Sequence, residues 1–198
     1  MKTILQLVIV FTLIYFFSSK NATTNQFSFE KDLVDDNNYS SLKKNIFYIK
    51  GLGNISSYKL QEIANEIENF YGFSTIIQTN IEINENMFIK NTNEILNATT
   101  CLEILDNSAK KVIYVTDKKL WSSGDYVNGL AYQNGNTVVV TTDAINLLET
   151  TRHEIGHTFG LDHCNNITCV MASRNDKYEI GKFCNKCKNF FKNKFNLK

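Results

Sequence analysis

The sequence predicts an α/β (α+β) fold built on one mixed, mostly parallel sheet with helices packed against it. Two observations predict it. Short β-branched runs alternate with helical periodicities from residue 46 onward. The last two runs are separated by Asn134-Gly135, a turn signal that makes them antiparallel neighbours while leaving the earlier ones free to be parallel. A length of 198 residues suits one compact domain with a small appendage.

The first twenty residues stand apart. Lys2 precedes an apolar run from Ile4 to Phe17, and Ser18, Ser19 and Lys20 follow. This is the outline of a signal peptide, and the run is shorter than the roughly 20 residues a membrane-spanning helix needs. Phe17 is bulky at the position before a cut after Ser19 where a small residue is preferred, so an uncleaved signal anchor is the alternative. The chain is therefore expected in the secretory pathway, secreted or held at a membrane through residues 4–17, with a cytoplasmic location as the rival. Residues 21–44 are polar and poorly patterned and read as a flexible lead-in. The domain proper is expected over residues 45–198.

Ile46 to Ile49 reads as a strand ended by Gly51-Leu52-Gly53. Leu60, Ile63, Ala64, Ile67, Phe70 and Tyr71 paint one face of a helix that Gly72 ends. Thr75 to Ile83 alternates as a second strand, and Ile95 to Leu105 suggests another helix. Val112 to Thr116 is a buried-looking third strand. Gly129 to Tyr132 and Thr137 to Thr141 form the hairpin. A helical pattern then runs from Ile145 through Ile155 and Phe159.

Twenty-one basic residues against 20 acidic ones give a formal charge of +1, which excludes a polyanion binder driven by whole-chain charge. Mean hydropathy of −0.23 excludes a polytopic membrane protein. Five glycosylation sequons, at Asn21, Asn38, Asn54, Asn97 and Asn166, support export only weakly in so asparagine-rich a chain.

Residues 151–163 carry the chemistry. The three histidines of the chain are His153, His157 and His163, with Glu154 after the first and Gly160 between the second and third. On a helix, His153 and His157 lie one turn apart on one face and can reach a single ion. Glu154 can reach a water on that ion. Gly160 can end the helix in a left-handed conformation, and His163 can then approach as third ligand. Three protein ligands leave a fourth position for water, the mark of a catalytic rather than a structural zinc. With every histidine in this motif, a serine or cysteine triad is excluded.

His163 is followed at once by Cys164, then by Cys169-Val170-Met171 and by Cys184-Asn185-Lys186-Cys187. The whole pattern, H-E-x-x-H-x-x-G-x-x-H-C-x₄-C-x-M followed by C-x-x-C, resembles the archaemetzincin family of metzincin zinc metallopeptidases. The resemblance covers about residues 45–190; the twelve residues between Met171 and Cys184 are a few fewer than the family pattern has. It implies a metzincin-like fold with Gly129 to Tyr132 as the antiparallel edge strand along a cleft, and an active-site helix. It implies a catalytic zinc on His153, His157 and His163, with Glu154 as general base. Met171 would be the Met-turn residue under that site. Cys164, Cys169, Cys184 and Cys187 would hold a second, structural zinc in a small C-terminal subdomain over residues 164–187. The expected activity is peptide-bond hydrolysis through a zinc-bound water, by a monomer acting on a peptide or protein.

Taken alone, the cysteine spacings also suit tetrahedral zinc, while two disulfides are the competing reading in a secreted chain. Cys101 reads as a small buried apolar residue. Seven lysines with interleaved phenylalanines fill residues 177–198. The intervals suit a capping helix with its phenylalanines in the core, so no nucleic acid is expected as a partner. The rival functions are a catalytically silent zinc-binding protein and a zinc module that binds nucleic acid through this tail.

Overall fold

The computed structural model of the chain describes residues 42–106, 109–173 and 181–197. The expected signal segment and nearly all of the lead-in lie outside the described residues. Leu42 is fully buried, so the packed chain includes residues ahead of the expected domain boundary at residue 45.

The elements follow the order β1 (Ile46–Leu52), α1 (Ser57–Tyr71), β2 (Ser74–Ile77), β3 (Ile95–Asn97), α2 (Ala98–Leu105), β4 (Lys111–Thr116), β5 (Lys119–Ser122), β6 (Asp125–Val127), β7 (Gly129–Ala131), β8 (Thr137–Thr141), α3 (Leu147–Thr158) and α4 (Asn185–Phe195). The main sheet has the strand order β2-β1-β4-β8-β7. Its first four strands are parallel, and β7 pairs antiparallel with β8 at the edge. This is the predicted mixed sheet with its antiparallel edge.

The strands of the sheet's centre are buried on both faces, and their side chains alternate between two cores. Phe47, Ile49, Ile113, Val115, Val138 and Val140 join α1, α3 and α4 on one face. Tyr48, Leu52, Val112, Tyr114 and Val139 join α2 on the other. Helix ends obey local chemistry. Ser56 caps α1 by accepting from the Lys59 amide, and Gly72 closes it at φ 71°.

Three expectations change. The second strand stops at Ile77 rather than Ile83. Beyond it the Asn80 amide bonds the Gly51 N–H and the Ile55 carbonyl, in a slot where a Cβ on Gly51 would collide with it. The backbone still pairs with β1 at isolated points, through the Gln78 N–H to the Ile49 carbonyl and the Ile81 N–H to the Gly51 carbonyl, with Asn80 stitching the loop between them. The helix expected from Ile95 begins at Ala98, because Asn97 caps it by accepting from Thr100 N–H. Ile95 to Asn97 is instead a strand of a small sheet, β3-β5-β6, which the sequence reading missed. Its strands have three or four residues, and its hairpin turns on Ser123 and Gly124, both at positive φ. Runs that short leave no readable period.

The C-terminal helix caps the core as expected. Phe183 and Phe191 are buried, Phe195 packs beside them, and Phe190 points outward. Lys194 Nζ bonds the Phe159 carbonyl at the end of α3 at 2.6 Å, so it braces another helix's C-terminus. Among the described residues no helix is long and apolar enough to cross a membrane.

Phe191 meets the rings of Tyr71, Phe73, Phe159, Phe183 and Phe195. Phe191→Ala should therefore lower unfolding free energy by about 3–5 kcal/mol in denaturant titration. Phe190→Ala should stay within about 0.5 kcal/mol of the parent.

Candidate metal centres

Helix α3 starts where Asn146 accepts a bond from the Glu149 amide and ends at Gly160, at φ 93°. It carries His153 and His157 one turn apart, and the reversal at Gly160 returns His163 to them. The ligand nitrogens of all three lie within 4.8 Å of one another. His153 and His157 meet Nε2 to Nε2 at 3.0 Å. Two nitrogens on a tetrahedral zinc stand about 3.4 Å apart, from bonds of about 2.05 Å. The Nδ1 atoms face away. That of His153 lies 2.7 Å from the Val170 carbonyl and that of His157 lies 2.8 Å from the Leu161 carbonyl. A carbonyl only accepts, so Nδ1 carries the proton and Nε2 presents its lone pair to the shared centre. Burial also pushes the His157 pKa below its ordinary value, which keeps that ring neutral.

Glu154 is buried beside the edge strand, and burial raises its carboxyl to about 8 against the opposing pull of a hydrogen bond from the Ala131 backbone. The Thr141 N–H to Asn128 carbonyl bond makes that pair a hydrogen-bonded one in the β7–β8 ladder. Alternation then turns the backbone groups of Gly129 and Ala131 toward the outer edge, where Ala131 meets Glu154.

Met171 is fully buried. Its Sδ lies 2.3 Å from where a Cβ on Gly156 would stand. Only glycine at that place in α3 admits the thioether against the helix. Gly129 is matched in the same way: a Cβ there would come within 3.0 Å of Glu154, Thr150 and Val140. The sequence reading assigned no role to Gly156 and none to the lack of a side chain at Gly129. A glycine inside a helix, and one opening a strand, were the signals available.

The second donor set is sulfur. Cys164, Cys169, Cys184 and Cys187 place their Sγ atoms within 4.8 Å of one another, and none is in a disulfide. Cys164 and Cys184 stand at 3.6 Å, against about 3.8 Å for two sulfurs on a tetrahedral zinc and about 2.05 Å for a disulfide. The disulfide reading is thus replaced by four converging thiols. Cys184 heads α4. Burial alone would raise its pKa, but the Cys187 backbone and the three neighbouring thiols hold it down at about 7. Burial and neighbouring sulfurs push Cys169 and Cys187 upward. Four thiolates cannot share this space without a cation, and both donor sets suit zinc.

One segment serves both sets. The Cys164 N–H bonds the Met171 carbonyl at 2.7 Å, and the Val170 N–H bonds the Lys182 carbonyl at 3.0 Å. The residue whose carbonyl orients His153 therefore lies between a sulfur donor and Met171. Cys101 is buried in the opposite core, away from both sets.

An α/β protein with two imidazoles on one helix, a third returning beyond its end and a four-sulfur site beside them is the class these observations define. The family model described as Peptidase family M54 matches residues 84–193. The archaemetzincin of Haloquadratum walsbyi is 39% identical over 85 residues, covering 33% of this chain and 49% of that protein. That of Pyrobaculum aerophilum is 34% identical over 104 residues, covering 46% and 67%. A crystal structure of archaemetzincin from Archaeoglobus fulgidus superposes with a TM-score of 0.66 at 24% identity, covering 73% of this chain and 99% of that one. The chain spans about half the length of the first curated relatives it matches. It belongs to peptidase family M54, the family of the archaemetzincins.

Gly129→Val should lower stability by about 1–3 kcal/mol in denaturant unfolding, because the new methyls meet Glu154, Thr150 and Val140 at once.

Proposed function

We propose that this chain is a zinc-dependent metallopeptidase that hydrolyses peptide bonds with Glu154 as general base. The observation that carries the reading is the convergence of one ligand nitrogen from each of three imidazoles beside a buried carboxylate. Family membership and the relatives named archaemetzincin support it. His153, His157 and His163 would hold one zinc, and Cys164, Cys169, Cys184 and Cys187 a second, structural one. Zinc at the histidines supplies Lewis-acid polarisation of a carbonyl and acidifies water.

The remaining work falls to the chain's own groups. Glu154 takes a proton from the attacking water and passes it to the leaving amine. Its carboxyl sits near neutrality by burial, which suits a group that must both accept and return a proton, and a nearby cation favours its charged form. The hydrogen bond from Ala131 aims it. The outward-turned backbone of β7 would receive an extended peptide as an added strand, holding the scissile bond along α3. Met171 does no chemistry; filling the slot at Gly156, it supports the helix turn between His153 and His157. A binding protein without turnover would need no buried carboxylate at that place. Export through residues 4–17 belongs to the same proposal, and N-terminal sequencing of the expressed protein tests it.

The deciding experiment is a peptide-library digest read by mass spectrometry with and without chelator. Cleavage that chelator abolishes is expected, and its absence overturns the peptidase reading. Glu154→Ala should keep its metal while the hydrolysis rate falls by about 10²- to 10⁴-fold. Elemental analysis should find two zinc ions per chain, one missing in His153→Ala and the other in Cys184→Ser. A parent protein with a single ion would remove one of the two sites.

A further inference from the structure

The ion pair Arg152–Glu66 lies immediately before the first histidine, and neither the metal sites nor the proposed chemistry uses it. Both residues are almost wholly buried, at 6% and 5% exposure. Arg152 Nε donates to Glu66 Oε1 at 2.5 Å, and Nη1 donates to the Gly181 carbonyl at 3.1 Å. The guanidinium lies 4.6 Å from the centre of the Phe70 ring. The Tyr71 hydroxyl donates to the Arg152 carbonyl at 2.6 Å. Three side chains of α1 thus grip one residue of α3, and that residue reaches on to Gly181, three positions before Cys184.

Burying two charges usually costs as much solvation as their attraction returns, and apolar pairs of similar volume are commonly as stable. A pair kept at such a cost is better explained by geometry than by stability. The Arg fork can meet a carboxylate and a carbonyl in one plane, which fixes both the rotation of α3 and the position of the chain entering the sulfur site. We infer that Glu66 and Arg152 are a positioning pair that aims His153 and Glu154 by fixing the rotation of α3 against α1 and the Gly181–Cys184 segment. The inference rests on the reading of His153, His157 and His163 as metal ligands.

The test substitutes cobalt for zinc at the histidine site, with the absence of thiolate charge-transfer bands showing that the sulfur site has not exchanged. The parent should bind cobalt there with a sharp tetrahedral visible spectrum. Failure of the parent to bind overturns the ligand reading itself. The double variant E66L/R152M should melt within a few degrees of the parent, bind cobalt at least tenfold more weakly and show a broadened spectrum. E66Q, which keeps the shape of the side chain, should show the same changes in smaller degree. R152K keeps the charge but not the fork and should fail to restore the parent spectrum. Parent-like cobalt affinity and spectrum in E66L/R152M and E66Q overturn the positioning role alone. A melting temperature in E66L/R152M that falls as far as in R152M would assign the pair to stability instead and would overturn it too.

Discussion

Two backbone carbonyls decide whether this chain can hold a metal. The imidazoles of His153 and His157 face each other at 3.0 Å because Val170 and Leu161 accept from their far nitrogens. Without those acceptors each ring could rotate or carry its proton on Nε2, and the shared centre would be lost. Leu161 is local, directly beyond the turn at Gly160. Val170 arrives from a separate excursion of the chain, so the tautomer of the first histidine depends on tertiary structure.

That excursion explains why the two donor sets lie together. His163 and Cys164 are chain neighbours, and the hydrogen bond between Cys164 and Met171 closes a short loop that also contains Cys169 and Val170. Metal bound to the sulfurs would restrain this loop, and with it the carbonyl behind His153 and the thioether beneath Gly156. Such a loop has little apolar material of its own. It is held by backbone bonds, by four sulfurs and by the core into which Cys169, Val170 and Met171 project. A metal clip is a physical substitute for the missing hydrophobic area.

Close approach is the second constraint on the site. Gly156 lets Met171 lie against α3, and Gly129 lets the edge strand come up to Glu154. These two glycines set the spacing between helix, strand and Met171 where a methyl group would hold them apart. One lysine of the tail and one of β4 have structural work as well. Lys194 meets the Phe159 carbonyl, and Lys111 bonds the carbonyls of Thr158 and Gly135. Two cations therefore face the negative end of the active-site helix. That placement favours the capping reading of the tail over a nucleic-acid surface.

Much of this was legible in one dimension. The spacing of His153, His157 and His163 encodes a helix turn followed by a reversal, and that geometry is local. The parallel strands were readable because burial on two faces leaves continuous β-branched runs, and the hairpin because Asn134, at φ 59°, and Gly135, where a Cβ would meet the Tyr132 carbonyl, mark the loop between β7 and β8. The small sheet was not readable, since strands of three or four residues have no period to detect. Nor was the early end of β2, where the Asn80 side chain takes the Gly51 N–H and pairing with β1 resumes only at Ile81. The sequence by itself determined which atoms could bind metal and which carboxylate stands beside them. Only the tertiary structure decided that the four sulfurs converge unpaired, that Val170 orients His153, and that Arg152 is locked to Glu66, because each joins residues far apart in the chain whose meeting no local pattern encodes.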